Sequence, residues 1–173
     1  NLWPRHIEDA LFLYRCLPKA EVAPWILDVG TGGGLPGMVL AILDSDPSRL
    51  RNYVLLDRSE RKIRFLAQVV AQLKLANVFP ICGDFSQPLS SATSAISAGQ
   101  TPAQFQAICA RAVAPPETLW KGVNHLLAPE GELLVACGPQ TREQLPAGVD
   151  VEWWPDGENL ASQRGVVRLA AQN

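Results

Sequence analysis

Apolar residues recur along the chain with two periods. Short continuous runs at Trp25–Val29 and at residues 52–56, 77–82, 105–109 and 132–137 predict buried strands. Between them, Ile63, Leu66, Val70 and Leu73 fall at helical spacing, as do Leu119, Val123 and Leu126. Polar punctuation fits these periods. Ser59 sits where a helix cap belongs with Glu60 in the first turn, Pro36 suits the first turn of a helix through residues 38–43, and Pro129-Glu130-Gly131 reads as a turn. Residues 149–154 and 166–170 read as a closing antiparallel pair. Strands alternating with helices predict an α/β fold: a doubly wound, mostly parallel seven-stranded sheet with helices on both faces.

Composition sets bounds. With 173 residues, 47% of them hydrophobic, the chain has enough core for one domain and too little length for two ordinary ones, so residues 1–173 are read as a single domain opening on a helical segment at 1–20. Because the chain opens on Asn1, residues are expected upstream, and a targeting segment there would go unseen. A net charge of −2 gives no global positive field but leaves a local basic patch open. Cys16, Cys82, Cys109 and Cys137 are widely separated, with no C-x-x-C and no Cys/His cluster. That argues against a metal site or a disulfide framework and for buried free thiols in a reducing, cytoplasmic setting. No run approaches the roughly 18 apolar residues of a membrane span.

The chemistry concentrates in one segment. Asp28-Val29-Gly30-Thr31-Gly32-Gly33-Gly34-Leu35-Pro36-Gly37 joins the first strand to the first following helix, and such an elbow lets a ligand approach backbone. A dinucleotide fingerprint wants a small residue where Leu35 stands, and a P-loop wants Lys and Ser/Thr where Met38 and Val39 stand. The remaining pattern, Asp-x-Gly-x-Gly-x-Gly, is similar to that of S-adenosylmethionine (SAM) methyltransferases. A glycine-rich turn without a ligand is the alternative.

Each strand end of a doubly wound sheet can serve such a site. Asp57 closes the second strand, where a carboxylate can accept both hydroxyls of a ribose or, alternatively, pair with Arg58 or Arg61. Gly83-Asp84-Phe85 closes the third, with an acid for an adenine amino group and a ring as an apolar wall. Arg111 closes the fourth, to grip an RNA phosphate or base edge or to form a surface ion pair. Arg49, Arg51, Arg58, Arg61, Lys62 and Arg64 cluster, as a solvated face or as a phosphate-contacting surface. Residues 86–104, rich in Ser, Ala, Thr and Pro, read as a surface insertion or a lid.

The elbow followed by Leu40-Ala41-Ile42, then Leu55-Leu56-Asp57 with Arg61-Lys62-Ile63-Arg64-Phe65-Leu66, Leu75-Ala76-Asn77-Val78, Arg111-Ala112-Val113-Ala114 and Arg5-His6-Ile7-Glu8-Asp9-Ala10-Leu11, resembles the bacterial 16S rRNA guanine-N7 methyltransferase family, RsmG, formerly glucose-inhibited division protein B. The resemblance covers roughly residues 5 to 138. It implies a Rossmann-like SAM-dependent methyltransferase fold and methyl transfer to N7 of a guanine in the 530 loop of 16S rRNA within the small ribosomal subunit, by a monomer without metal. The implied cofactor residues are Asp28, Gly30, Thr31, Gly32, Gly34, Asp57, Arg58, Asp84, Phe85 and Arg111, with Arg111 also the catalytic candidate. His6 matches the family segment and is a candidate for the cofactor region; His125 reads as structural or solvated. Where that family reads Gly-Arg-x-Glu, Ser before Arg-Ala, and Leu-Lys-Gly, this chain has Gly83-Asp84-Phe85-Ser86, Ala110 and Ala136-Cys137-Gly138. Guanine N7 has a lone pair and no proton, so no general base is required. A SAM methyltransferase of another substrate and a non-catalytic SAM- or RNA-binding module are the competing readings.

Overall fold

A computed structural model describes residues 2–19, 24–45, 51–87, 104–138, 150–153 and 164–170. Its elements run α1 (Leu2–Cys16), β1 (Trp25–Val29), α2 (Gly37–Leu43), β2 (Asn52–Asp57), α3 (Glu60–Leu73), β3 (Val78–Cys82), β4 (Phe105–Arg111), α4 (Pro116–Val123), β5 (Leu127–Cys137), β6 (Asp150–Trp153) and β7 (Gly165–Ala170). The seven strands form one sheet in the order β3-β2-β1-β4-β5-β7-β6. Parallel pairing runs from β3 to β5, and β7 lies antiparallel to both β5 and β6, as the closing pair predicts. The order reverses between β1 and β4, which opens a crevice at their carboxyl ends.

Alternation along each strand assigns the helices to faces. Leu27, Val29, Val54 and Leu56 pack with Leu119 and Val123 of α4. Ile26, Tyr53 and Leu55 face the other way, onto Leu13 of α1, Leu40 of α2 and Leu66 of α3. Two expectations are corrected. Leu73 is 52% exposed, because α3 buries only a narrow stripe centred on Leu66. Cys82 is exposed at the edge strand β3, whereas Cys16, Cys109 and Cys137 are buried, and all four are free thiols. The Pro129-Glu130-Gly131 turn is an outward excursion inside β5, where pairing jumps from Phe105–Leu127 to Ala107–Glu132 and Glu130 takes φ 62°. Residues 88–103 of the predicted insertion lie outside the described residues, as does Arg49.

A polar bolt at the opposite end of the sheet fixes α1 and α2. Asp44, 2% exposed at the end of α2, accepts hydrogen bonds from Tyr53 of β2, from Tyr14 of α1 at 2.6 Å and from Arg51 at 3.1 Å. Arg51 also donates to the Pro18 carbonyl at 2.9 Å. Arg51 is therefore structural and separate from the exposed cations of the predicted basic cluster. Removing one partner of a buried charged pair leaves the others unpaired, at a cost of about 3–5 kcal/mol. Asp44→Ala is expected to lose stability of that order in urea unfolding; a loss within about 0.5 kcal/mol, the size of an ordinary surface change, would show that the bolt contributes nothing.

Candidate functional site

At the carboxyl ends of β1 and β2, two carboxylates bind backbone of the same loop. Asp57 Oδ2 accepts the Gly32 N–H at 2.9 Å, and its Oδ1 accepts the Ser59 N–H at 2.9 Å. Asp28 Oδ2 accepts the Gly37 N–H at 2.9 Å from the first turn of α2. The Thr31 N–H donates to the Leu56 carbonyl at 3.0 Å, and the Gly34 N–H to the Thr31 carbonyl at 2.8 Å. Residues 30–34 are thereby wound into a compact elbow with Gly30, Gly32 and Gly34 all at positive φ, a conformation that disfavours side chains. Gly37 is required for a second reason. A Cβ there would lie 2.4 Å from Leu55 Cδ2 and 2.5 Å from Asp28 Oδ2, so the elbow could not close on its carboxylate.

The two acids differ in how readily they ionise. Burial pushes Asp28 up to about 6, against the opposing pull of the Thr31 hydroxyl, the Gly37 N–H and the Arg111 charge. Burial also raises Asp57, but the Ser59 and Gly32 N–H groups and Lys62 outweigh it and leave the carboxyl below its ordinary value. Asp57 is thus a firmly ionised acceptor beside a reluctant one. Its charged partner is Lys62, at 3.3 Å, and neither Arg58 nor Arg61.

A cleft of about 370 Å³ opens beside this elbow, lined by Gly30, Leu56, Asp57, Arg58, Ser59, Lys62, Gly83, Phe85 and Val113. That volume lies within the range of small-molecule sites. Phe85 forms one wall. Its ring seats against α4 where a Cβ on Gly122 would lie 2.7 Å from Phe85 Cε2, so the helix gives up a side chain to receive it. Asp84 faces its own turn. Its Oδ1 accepts the Ser86 N–H at 2.9 Å and the Ser86 hydroxyl at 2.8 Å, which hold it below the usual carboxylate range, and Oδ2 stands 3.5 Å from the exposed Arg58.

Arg111 is turned away from the cleft toward α1 and is not among the residues that line it. Its Nη1 meets His6 Nδ1 at 2.6 Å and lies 3.9 Å from Asp9. Guanidinium only donates, so in this contact His6 Nδ1 is the acceptor. Asp9 and Glu8 in turn hold Arg164, each at 2.7 Å, so α1 is clamped to the ends of β4 and β7. His6 and Arg111, which sequence placed only near one another's region, are direct partners. Asp28 Oδ1, Thr31 Oγ1 and Arg111 Nε are buried without a hydrogen-bond partner of good geometry, three polar groups around the same strand ends.

Of the residues singled out in the sequence, Gly30, Asp57, Arg58, Gly83 and Phe85 line the cleft, whereas Asp28, Thr31, Gly32, Gly34, Asp84 and Arg111 do not. Sequence reasoning missed Ser59, Lys62 and Val113 as lining residues and Gly122 as the seat of the ring. Lys62 and Val113 stood inside motifs already singled out, whereas Gly122 has no sequence signal beyond a glycine inside a helix. Among the described residues no group of three His, Cys, Asp or Glu is placed to hold a metal ion, and no helix is long and apolar enough to cross a membrane.

Comparison with known proteins bears on the chemistry of this cleft. The sequence matches the family described as rRNA small subunit methyltransferase G over residues 1–156. It is similar to ribosomal RNA small subunit methyltransferase G of Halorhodospira halophila, 38% identical over 145 residues that make up 84% of this chain and 60% of that protein. The same enzyme of Methylococcus capsulatus is 39% identical over 149 residues, 84% of this chain and 63% of the relative. The chain thus spans somewhat more than half the length of these relatives. The crystal structure of an rRNA methylase from Streptococcus thermophilus shares the fold, with a TM-score of 0.61 at 15% identity over 96% of this chain and 95% of that one.

The raised pKa of Asp28 has a consequence for stability. Between the ordinary carboxyl value of 3.8 and about 6 the folded state holds a proton that the unfolded state has released, so stability falls as pH rises through that window, by up to about 3 kcal/mol. Asp28→Asn keeps an acceptor for Gly37 and removes the titration. Urea midpoints should show the gap between variant and parent widening in favour of the variant from pH 4 to pH 6.5; a constant gap would mean that folding leaves the Asp28 carboxyl at its ordinary value.

Proposed function

The chain belongs to the rRNA small subunit methyltransferase G family, and on that premise we propose that it transfers a methyl group from SAM to N7 of a guanine in the 530 loop of 16S rRNA, acting as a single domain over residues 1–173. The observation that carries this reading is the elbow locked by Asp57 at the mouth of a cleft with an apolar wall. Positive-φ glycines leave backbone open to the amino-acid end of the cofactor, and Asp28 Oδ1 and Thr31 Oγ1, buried without a hydrogen bond of good geometry, supply polar groups near that end. The ionised Asp57 is an acceptor for ribose hydroxyls. Phe85 offers its face to the adenine. The residues present fit the cofactor, with Asp84 the weakest of the proposed contacts because its own turn occupies Oδ1.

The cofactor supplies an electrophilic methyl on a sulfonium. Transfer forms one N–C bond and breaks one S–C bond, the positive charge passing from sulfur to the base, and no proton moves. The protein's work is alignment and exclusion of water, which needs a rigid cleft rather than a general base. Arg111, pinned by His6 and Asp9, is proposed to meet the RNA at the edge of the site, and the exposed Arg58, Arg61 and Arg64 of the α3 region to meet phosphates.

Incubation with methyl-labelled SAM and small subunits from a strain lacking this methylation, followed by mapping of the labelled base, tests the assignment. Label at N7 of a 530-loop guanine supports it; label elsewhere, or none, contradicts it. Two variants test the roles. Asp57→Ala removes a charged acceptor worth about 1.5–3 kcal/mol, so calorimetric titration should show SAM affinity falling about ten- to a hundredfold. A change within about twofold, well under the 1.4 kcal/mol of a decade, would mean that neither the carboxylate nor its hold on the loop contributes to SAM binding. Arg111→Ala should leave SAM affinity nearly unchanged while methyl transfer falls strongly; undiminished transfer would remove Arg111 from the site.

A further inference from the structure

The outward face of α3 carries a pattern that neither the fold nor the cofactor cleft uses. The helix turns Ile63, Leu66, Val69 and Val70 toward the sheet. On its other side Arg61, Arg64, Phe65, Gln68 and Gln72, spaced three and four residues apart, are all exposed on one face. Phe65 is 53% exposed in the midst of them. From Arg58 to Phe65 the cations Arg58, Arg61, Lys62 and Arg64 stand against Glu60 alone. The same helix begins in the wall of the cleft, where Arg58, Ser59 and Lys62 line it, so Phe65 lies only about 4.5 Å further along the axis than Lys62.

We infer that this face of α3 holds a single-stranded stretch of the substrate RNA, with Phe65 stacking on an unpaired base that neighbours the nucleotide in the cleft and Arg61 and Arg64 meeting its phosphates. The inference rests on the RNA reading above and adds the form of RNA that is recognised. Cations alone would suit the backbone of a duplex equally well. An exposed ring among them selects against duplex, because paired bases are already stacked on each other, whereas a splayed base has a free face for the ring. Amides at Gln68 and Gln72 extend the face with groups that can both donate to and accept from base edges. Leu73, 52% exposed at the end of the helix, is a second exposed apolar side chain that a protein partner would also fit, but the surrounding positive charge favours the polyanion.

Fluorescence anisotropy with a labelled single-stranded oligoribonucleotide and with a duplex of equal length separates these possibilities, using the parent chain, Phe65→Leu, Phe65→Trp and Arg61→Glu/Arg64→Glu. The single strand should bind more tightly than the duplex. Phe65→Leu, which keeps an apolar side chain without a π face, should weaken the single strand about tenfold and leave the salt slope unchanged, while Phe65→Trp should restore binding. The double charge reversal should flatten the salt slope. SAM affinity should be the same in all four proteins. Single-strand binding by Phe65→Leu equal to that of the parent, or equal weakening of duplex and single strand, would overturn the inference with the RNA reading intact. A marked loss of folded stability in Phe65→Leu would likewise overturn it in favour of a packing role. Failure of the parent to bind either RNA or to methylate ribosomal RNA would overturn both.

Discussion

Two strand-end carboxylates, Asp57 on β2 and Asp28 on β1, spend oxygens on the backbone of one loop, and the geometry of the whole site follows from that commitment. A loop rich in glycine has more conformational freedom than any other and costs the most to order. Here the ordering is supplied from within the sheet. Asp57 takes the Gly32 N–H, Asp28 takes the Gly37 N–H, and the Leu56 carbonyl takes the Thr31 N–H. The elbow is thus built as an extension of the parallel strands rather than as a flexible flap, and a ligand meets backbone that is already in place.

The different environments of the two acids divide the labour. Asp28 is fully enclosed and reluctant to ionise, so it acts as a structural acceptor whose second oxygen has no hydrogen bond of good geometry. Asp57 sits at the cleft, ionised by its amide donors and Lys62, and is the group able to hold a polar ligand. On the opposite side of the switch point, Arg111 is fixed by His6 and Asp9, so α1 sets the position of the one cation that closes β4. The bolt around Asp44 fixes the other end of α1 and α2. Together these contacts hold the walls of the cleft from both ends of the sheet.

Much of this was legible in the sequence, for identifiable reasons. Strands buried on both faces write themselves as continuous apolar runs, so β1, β2, β4 and β5 were visible, and the elbow was visible because few other structures need glycine at that density. Asp57 was visible because it terminates an apolar run. What stayed hidden depends on distances between remote segments. Nothing local shows that Arg51 folds inward onto Asp44 while Arg61 and Arg64 face outward, or that Arg111 reaches back to His6. The exposure of Leu73 and Cys82 was missed because helical spacing and strand-ending position report pattern, not how far a neighbouring layer extends. Gly122 receiving Phe85 is a contact between two elements that no local rule connects.

The central claim is that the elbow is preformed by its two carboxylates and is the place where the cofactor binds. Amide hydrogen exchange, followed residue by residue with and without SAM, tests this most directly. The amides of Gly32, Gly37 and Ser59 should be protected before any ligand is added, and SAM should add protection at residues 30–34, 57–59 and 83–85 while leaving β6 and β7 unchanged. Rapid exchange of Gly32 and Gly37 in the free protein, or ligand-induced protection away from the elbow, would contradict the account.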